Sequence, residues 1–382
     1  MTQSLRLSVL LLLLLLIAVV VAVVVGGGKV PAIIVFGDST VDAGNNNVIH
    51  TVLKSNFRPY GRDFYDGIPT GRFSNGRVAT DFISEAIGLK PIVPAYLDPD
   101  YTINDFAIGV SFASAGTGFD NATSDVLVCA RDDPIIYIYI YIYILSWFNL
   151  WSIGRSQGVI PLWREVELFR EYKRRLETAM GKKKAKRRLM EALYIVSIGT
   201  NDFMENYYTM PCRSAHFSIE QYEDLLIKLA GEFFTEIYQL GGRKISMTSL
   251  PPMGCLPMER VSMSGEACVE KYNLVARSFN AKLETLVMKL NSNLPGLRMV
   301  LTQVYDFLQN IIQNPDLYGY DNVEQGCCAT GRFEMGYMCA EGNPFTCDDA
   351  DKFVFWDAFH PSQKTNRIIA YHNINTSLIQ FL

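Results

Sequence analysis

The stretch Ile33-Ile34-Val35-Phe36-Gly37-Asp38-Ser39-Thr40 decides the fold of this chain. Four apolar residues, the length of a short strand, end at a glycine that lets the backbone turn sharply before polar side chains follow. Ser39 is therefore expected just beyond a buried strand, near the start of the next helix and exposed above a sheet. An ordinary helix cap, for which Asp and Ser are favoured, is the alternative interpretation.

The same pattern recurs along the chain, where apolar runs of strand length alternate with amphipathic stretches of helical length. This alternation is typical of a parallel sheet covered by helices on both faces. The other predicted strands are Gly109–Ala113, Tyr194–Ile198, Ile245–Ser249 and Arg298–Leu301. Because no Pro-, Gly- and Ser-rich linker separates these units, residues 29–382 are expected to form a single α/β domain.

The clearest helix is predicted to begin after Ser218, because Gln221 completes a capping box with that serine. Its apolar positions recur at three- and four-residue steps and are Leu225, Leu229, Phe233, Ile237 and Leu240. The pair Gly241-Gly242 is expected to end this helix. Further helices are predicted from Cys268 towards Leu290 and after His360.

Composition limits the class of protein that this chain can be. Of 382 residues, 49% are hydrophobic and 19% charged, and 35 basic against 39 acidic side chains give a formal net charge of -4. These values exclude a disordered tail or a collagen-like protein, and they give no electrostatic reason to expect nucleic acid as a partner. The basic run at 182–188 is interpreted as a solvated face ahead of a buried strand.

Two segments inflate the hydrophobic count, and the first is the amino terminus. Arg6 precedes an unbroken apolar run from Val9 to Val25, and three glycines follow. This pattern predicts a secretory signal peptide over residues 1–28, with no stable membrane insertion after its cleavage. An uncleaved anchor is the alternative, since about 17 apolar residues can just span a bilayer.

The second segment, residues 128–158, contains Ile and Tyr in strict alternation from Ile136 to Ile144. Codons for these residues include ATA and TAT, so we hypothesise that a TA tract in a retained intron or expanded repeat has been translated. As genuine protein, the segment would be a β-prone insertion and an aggregation hazard. The Gly-x-Ser-x-Gly pattern at 154–158 lacks the strand-to-helix context of a nucleophile elbow.

Cysteine usage fits an oxidising, extracellular compartment. Of eight cysteines, seven lie at or beyond Cys212, and Cys129 lies within the segment 128–158. No Cys-x-x-Cys pair or nearby histidine cluster is present, so disulfides of undetermined connectivity are expected rather than a zinc site. Asn121 and Asn375 begin Asn-x-Ser/Thr sequons and are candidate glycosylation sites.

Three further clusters accompany Ser39, at predicted strand ends or near the carboxyl terminus. Gly116, among small residues, could offer its N–H to an oxyanion, and the Asn201 side-chain amide is a second suitable donor. A tight turn and an Asx turn are the structural alternatives for these two. Asp357 precedes His360 by three residues, which lets one turn bring the carboxylate to a ring nitrogen. The alternative for that pair is a surface histidine beside an acid.

With these clusters, the sequence resembles the plant GDSL esterase/lipases of the SGNH hydrolase superfamily. The Ser, Gly, Asn and His blocks of that superfamily are matched by Ser39, Gly116, Asn201 and His360. The similarity runs from about Pro31 to the end of the chain, except for residues 128–158. It includes the blocks at 36–39, 45–47, 71–77, 251–255 and 326–328. Thr40 replaces the leucine of the family name.

The resemblance implies a three-layer α/β/α sandwich with a flavodoxin-like parallel sheet of about five strands. It further implies a secreted serine hydrolase of lipid or other acyl esters that needs no cofactor or metal. Ser39 would attack the ester carbonyl, and His360, oriented by Asp357, would take its proton. The N–H groups of Ser39 and Gly116 and the Asn201 side chain would hold the oxyanion. A cell-wall acyltransferase resembling a cutin synthase, and a product impaired by residues 128–158, are the alternatives.

Overall fold

The structure, a computed structural model, describes residues 30–125, 158–209, 213–262 and 267–382. Outside these residues lie the predicted signal peptide, Cys129, Cys212 and all of the segment 128–158 except Gly158. The serine of the Gly-x-Ser-x-Gly pattern, Ser156, lies outside them as well.

A five-stranded parallel sheet forms the middle layer. Its strands are β1 (Ile33–Gly37), β2 (Gly109–Ser111), β3 (Leu193–Ser197), β4 (Lys244–Thr248) and β5 (Arg298–Thr302). They are arranged in the order β2-β1-β3-β4-β5, and each neighbouring pair is parallel. The five predicted strands are confirmed to within two residues at each end, and their order is that of a flavodoxin-like sheet.

Helices cover both faces of the sheet, as the predicted three-layer sandwich requires. Along β1, Ile34 and Phe36 join one apolar core while Ile33 and Val35 join another, because successive side chains point to opposite faces. The helices are α1 (Ala79–Ala86), α2 (Ile103–Phe106), α3 (Leu162–Met180), α4 (Lys182–Glu191), α5 (Thr200–Phe203), α6 (Ile219–Leu240), α7 (Pro257–Ser262), α8 (Glu270–Asn293), α9 (Val304–Gln313), α10 (Pro315–Tyr318) and α11 (Gln363–Asn373). Within the four described ranges, no helix has the length and apolar character needed to cross a membrane.

Helix α6 begins and ends where the sequence predicts, although its buried face differs from the predicted one. Ser218 Oγ accepts from Gln221 N at 3.2 Å, and Gln221 Oε1 accepts from Ser218 N at 2.9 Å. Phe233 and Ile237 are buried as predicted, whereas the predicted Leu225, Leu229 and Leu240 are only half-buried. The covered stripe includes Tyr222, Leu226, Ala230 and Phe234. Because apolar residues occur in adjacent pairs along α6, either of two neighbouring faces could be buried. The face that is buried is the one that places the aromatic side chains in the core.

A cross-linked segment near the carboxyl terminus completes the fold. It contains the short parallel pair β6 (Asn322–Gly326) and β7 (Phe353–Phe355), which the sequence analysis did not predict. Disulfides Cys327–Cys347 and Cys328–Cys339 close this segment, and Cys255–Cys268 links the chain ahead of α8. The connectivity that the sequence left open is thereby given for six cysteines. In α4, the side chains Lys182, Lys183, Lys184, Lys186 and Arg187 are exposed, as expected of a solvated face.

Candidate active site

Ser39 lies in a tight turn at the carboxyl end of β1. Gly37 has φ of 140°, and a Cβ there would collide with the Ser197 carbonyl group, so the turn requires glycine. The Asp38 carbonyl accepts from Val41 N at 3.2 Å and from Asp42 N at 2.9 Å, which closes the turn. The side chain of Ser39 is thereby held at one edge of the sheet.

Two details of the predicted surroundings of Ser39 are wrong. No helix begins there: the next helical element is a 3₁₀ turn at Asn45–Val48, and Ser39 is only 5% exposed. The carboxylate of Asp38 accepts from Thr40 N at 3.0 Å and from its hydroxyl at 2.6 Å. This local capture of donors favours an irregular turn over a regular helix. The Thr40 hydroxyl also lies 2.8 Å from Ser197 Oγ, a contact that leucine could not make.

The structure brings Ser39, His360 and Asp357 together. Ser39 Oγ lies 2.7 Å from His360 Nε2, and His360 Nδ1 lies 2.8 Å from Asp357 Oδ2. The Asp357 carboxylate also accepts from the backbone N–H groups of Phe359 and His360, at 2.8 and 2.7 Å. That turn explains why a three-residue spacing places the acid against the imidazole. All three side chains are more than nine-tenths buried.

Tyr60 is a fourth member of this arrangement that the sequence analysis missed. Its hydroxyl donates to Asp357 Oδ2 at 2.7 Å and accepts from Gly336 N at 2.8 Å. Burial and the neighbouring Asp357 charge raise the pKa of Tyr60 well above its usual value, so it stays a donor. Because 297 residues separate Tyr60 from Asp357 in the chain, no local pattern could have revealed the contact.

The loop that carries Gly116 is fastened to the turn that carries Ser39. Ser114 N donates to Gly37 O at 2.9 Å, and Ala115 N donates to Asp42 Oδ2 at 3.2 Å. Within the described part of the chain, the backbone N–H groups of Ser39 and Gly116 have no hydrogen-bond acceptor. These two unpaired donors therefore belong to segments that are joined by hydrogen bonds, and they are candidates to bind a negative oxygen.

Asn201 lies at the start of α5, directly after β3, and faces the same loop. Its Nδ2 donates to the Thr117 carbonyl group at 3.0 Å, which orients the side-chain amide beside Gly116. The adjacent Asp202 binds the continuation of the loop by accepting from Phe119 N at 2.8 Å and Asp120 N at 3.0 Å. Burial raises the pKa of Asp202 to about 7. This carboxyl group, like Tyr60, was not predicted from the sequence.

Buried carboxyl groups also support the turn of Ser39. Asp42 Oδ1 accepts from Gly44 N and Asn45 N, both at 2.8 Å, and Glu165 Oε2 accepts from Gly37 N at 3.0 Å. Burial raises the pKa of Asp42 to about 6 and that of Glu165 well above its usual value. The described ranges contain no group of three or more His, Cys, Asp or Glu side chains suited to hold a metal ion.

The segments that flank residues 126–157 meet beside the site. Val159 N donates to Ser124 O at 3.0 Å, and Val159 lies against Gly116. The candidate glycosylation residues Asn121 and Asn375 are both exposed.

Comparison with known proteins adds independent findings. A family model described as GDSL-like Lipase/Acylhydrolase matches residues 33–373. The Arabidopsis thaliana protein named GDSL esterase/lipase At4g26790 is 52% identical over 355 residues, which cover 92% of this chain and 93% of that protein. The protein named GDSL esterase/lipase At2g04570, from the same plant, is 51% identical over 356 residues, or 93% of each chain.

Proposed function

This chain belongs to the GDSL-like lipase/acylhydrolase family, and we propose that it cleaves carboxylic esters through an acyl-enzyme formed on Ser39. The observation that carries the proposal is the 2.7 Å contact between Ser39 Oγ and His360 Nε2. Both relatives are named as esterase/lipases, which supports the same reaction class.

The first step follows from the protonation of the imidazole. Asp357 accepts from His360 Nδ1, which leaves the Nε2 lone pair directed at the Ser39 hydroxyl. As Ser39 Oγ attacks the acyl carbon, its proton moves to Nε2, and the Asp357 carboxylate stabilises the imidazolium. The Tyr60 hydroxyl donates to Asp357 Oδ2, the oxygen that also contacts His360 Nδ1, and keeps the carboxylate in place.

The negative oxygen of the tetrahedral intermediate needs hydrogen-bond donors. The unpaired N–H groups of Ser39 and Gly116, together with the Asn201 amide, would supply them. When the intermediate collapses, His360 Nε2 returns the proton to the leaving alkoxide and the alcohol departs. Water then attacks the acyl-enzyme with His360 as base, which releases the carboxylic acid and restores Ser39.

Secretion is the second part of the proposal. The apolar leader before residue 29 is typical of a signal peptide, and three disulfides fit an oxidising compartment. The mature chain of 29–382 would then form one hydrolase domain that carries glycans on Asn121 or Asn375. Amino-terminal sequencing of the secreted protein tests this part, and an intact Met1 would contradict it.

The reaction is tested with Ser39→Ala and p-nitrophenyl acetate. We expect kcat to fall by a factor on the order of 10⁴ or more, because the nucleophile is lost. Ser156→Ala is the matched control, since it removes the serine of the Gly-x-Ser-x-Gly pattern and is expected to keep full activity. Retained activity in Ser39→Ala, or lost activity in Ser156→Ala alone, would contradict the assignment. Adding glycerol and analysing the products separates hydrolysis from acyl transfer.

A further inference from the structure

The basic helix α4 is a feature of this structure that the proposed reaction does not use. It contains six basic side chains and one acidic side chain, Glu191, which give it a formal charge of +5. Five of the basic side chains are exposed, and they are Lys182, Lys183, Lys184, Lys186 and Arg187. Because the formal net charge of the whole chain is -4, the remainder of the chain has -9. The positive charge is therefore local, on a protein that is otherwise acidic.

The exposed charges of α4 are poorly compensated by the protein itself. Arg187 Nε lies 4.0 Å from Glu191 Oε1, and in the described part of the chain the four lysines of α4 form no ion pair. Arg188 differs, because its Nη1 donates inward to Pro31 O at 3.2 Å and to Ala107 O at 2.7 Å. The lysines and Arg187 therefore remain accessible to an external anion.

The arrangement of these charges is unfavourable for α4 on its own. Lys182, Lys183 and Lys184 occupy the first turn, which contains no acidic residue, at the positive end of the helix dipole. Lys186 and Arg187 each lie four residues after one of these lysines, and like charges at that spacing repel each other. A polyanion bound along the exposed side of α4 would relieve both kinds of repulsion.

The other side of α4 is already buried, which bears on the class of the anionic partner. Ala185 and Leu189 are buried and join the apolar core. A helix that binds a membrane surface needs an apolar face free to enter the lipid, and in α4 that face packs on the core instead. A soluble polyanion binds by charge alone, and the proposed secretion favours an acidic polysaccharide over nucleic acid.

Helix α4 lies at the amino end of the sheet, opposite the proposed catalytic edge. Arg188 donates to carbonyl groups just ahead of β1 and β2. Strand β3 follows α4 directly, and Ser197 O at its far end accepts from Asp38 N at 3.0 Å. The length of this strand separates the two ends of the sheet by about 13 Å. A polymer bound to α4 would therefore leave the edge that carries Ser39 open to substrate.

We propose that the exposed basic side of α4 binds an acidic polysaccharide and holds the enzyme on it with the catalytic edge directed away. The choice of a polysaccharide rests on the proposed secretion, whereas the accessible basic side of α4 does not depend on it. The ten residues of α4 span about 15 Å, so several charges of one polymer contact the helix at once. A single small anion makes only one of these contacts.

The test measures binding of the full chain to polygalacturonate, with its methyl ester as an uncharged polymer of the same backbone. In about 50 mM NaCl we expect the wild type to bind the acid and not the ester, and about 0.5 M NaCl to release it, because salt screens the charges. The triple variant Lys182→Gln, Lys183→Gln, Lys186→Gln should bind about tenfold or more weakly, because three of the five exposed cations are lost.

A matched control removes the same number of charges elsewhere. Lys228 on α6 and Lys271 and Lys289 on α8 are exposed lysines far from α4 in the chain. The triple variant Lys228→Gln, Lys271→Gln, Lys289→Gln has the same net charge as the α4 variant. Its affinity for polygalacturonate should stay within about twofold of the wild type, because the contact is local to α4.

A charge reversal separates lost binding from a folding defect. Lys182→Glu with Lys183→Glu places acidic residues in the first turn of α4, which favours the helix while repelling a polyanion. We therefore expect an unchanged or higher Tm together with the loss of detectable binding to polygalacturonate. Hydrolysis of p-nitrophenyl acetate should match the wild type in every variant and should persist when the wild type is bound to the polymer.

Four results would each overturn the proposal. They are no binding by the wild type, equal binding to the methyl ester, equal losses in the two triple variants, and tighter binding to anionic phospholipid vesicles than to polygalacturonate. Each of them can occur while ester hydrolysis is intact. A folded wild type that binds the polymer but hydrolyses no ester would instead contradict the proposed function and support the binding surface.

Discussion

The two sides of the proposed active site both contain buried carboxyl groups, but they differ in the interactions that surround them. On the nucleophile side, the turn of Ser39 depends on buried carboxyl groups, Asp42 and Glu165, which accept from backbone N–H groups. On the base side, the turn at 357–360 follows the disulfide-linked segment, whose Cys327 N and Cys328 N donate to Phe355 O and Trp356 O at 3.1 and 2.7 Å.

This difference has a physical consequence. Hydrogen bonds to buried carboxyl groups depend on protonation, so the nucleophile side responds to pH. Disulfides depend on the redox state of the solution and stabilise the fold mainly by restricting the unfolded chain. The two sides are therefore expected to respond to different perturbations, although Ser39 and His360 are in direct contact.

The largest contrast is expected between the buried aspartates of the two sides. Asp357→Asn should lower kcat by a factor on the order of 10⁴, because an amide cannot hold the imidazole in the required tautomer. Asp38→Asn should cost less than about tenfold, because its carbonyl oxygen can still accept from Thr40. Rates on p-nitrophenyl acetate check this, and comparable losses in both variants would contradict the separation of roles.

Removing disulfides separates positioning from stability. Cys328–Cys339 and Cys255–Cys268 span 11 and 13 residues, so breaking either by paired Cys→Ala changes should cost about 3 kcal/mol of unfolding free energy. Only the loss of Cys328–Cys339 should also lower kcat, because its loop holds Gly336 against Tyr60. Denaturant melts and rates measured well below each midpoint distinguish the two effects. Equal kcat values in the two variants would show that the cross-link does not position the base.

Tyr60→Phe removes the hydrogen bond from the Tyr60 hydroxyl to the Asp357 carboxylate. This donor fixes the position of the Asp357 carboxylate against His360 Nδ1, so its loss should misplace the imidazole and lower kcat roughly tenfold or more. Tyr172→Phe, which removes a buried hydroxyl bonded to Phe106 O, is the control. Wild-type kcat in Tyr60→Phe, or an equal loss in Tyr172→Phe, would contradict the prediction.

The smallest expected effect concerns pH and the nucleophile side. Burial raises the folded-state pKa of Glu165, so the folded protein keeps a proton that the unfolded chain releases above about pH 4.5. Stability conferred by the neutral carboxyl is therefore lost as pH rises from about 4.5 towards the raised pKa of Glu165. Glu165→Gln should show a shallower fall of Tm between pH 5 and 8. Glu167→Gln, half-buried on the same helix and bonded to Arg164, should match the wild type, and identical slopes in all three proteins would refute the prediction.

Sequence patterns predicted the site residues that follow strands and missed those that reach the site from distant parts of the chain. Ser39, Gly116 and Asn201 each come soon after an apolar run, and the carboxyl ends of parallel strands share one edge. Tyr60 and Glu165 reach the site through long-range packing, with separations of 297 and 128 residues from the groups they bind. No local pattern encodes such contacts.

Local competition explains the remaining differences. Asp38 and Asp42 bind the backbone donors that a helix after β1 would have used, so the expected helix is replaced by a turn. In α6, paired apolar residues made two buried faces equally plausible from spacing alone. Strand β6 is polar in sequence and β7 has only three residues, and the pair forms where the disulfides bring its strands together.

The hydrogen bond from Val159 N to Ser124 O brings together the two segments that flank residues 126–157, which is the geometry needed for inserting foreign sequence. A loop whose ends already touch gains length at little entropic cost, so added residues need not strain β2 or α3. A fluorescent reporter domain, whose own termini lie close together, could replace residues 126–157 while the hydrolase keeps its fold. Placed beside Gly116, such a reporter would sense events at the catalytic edge.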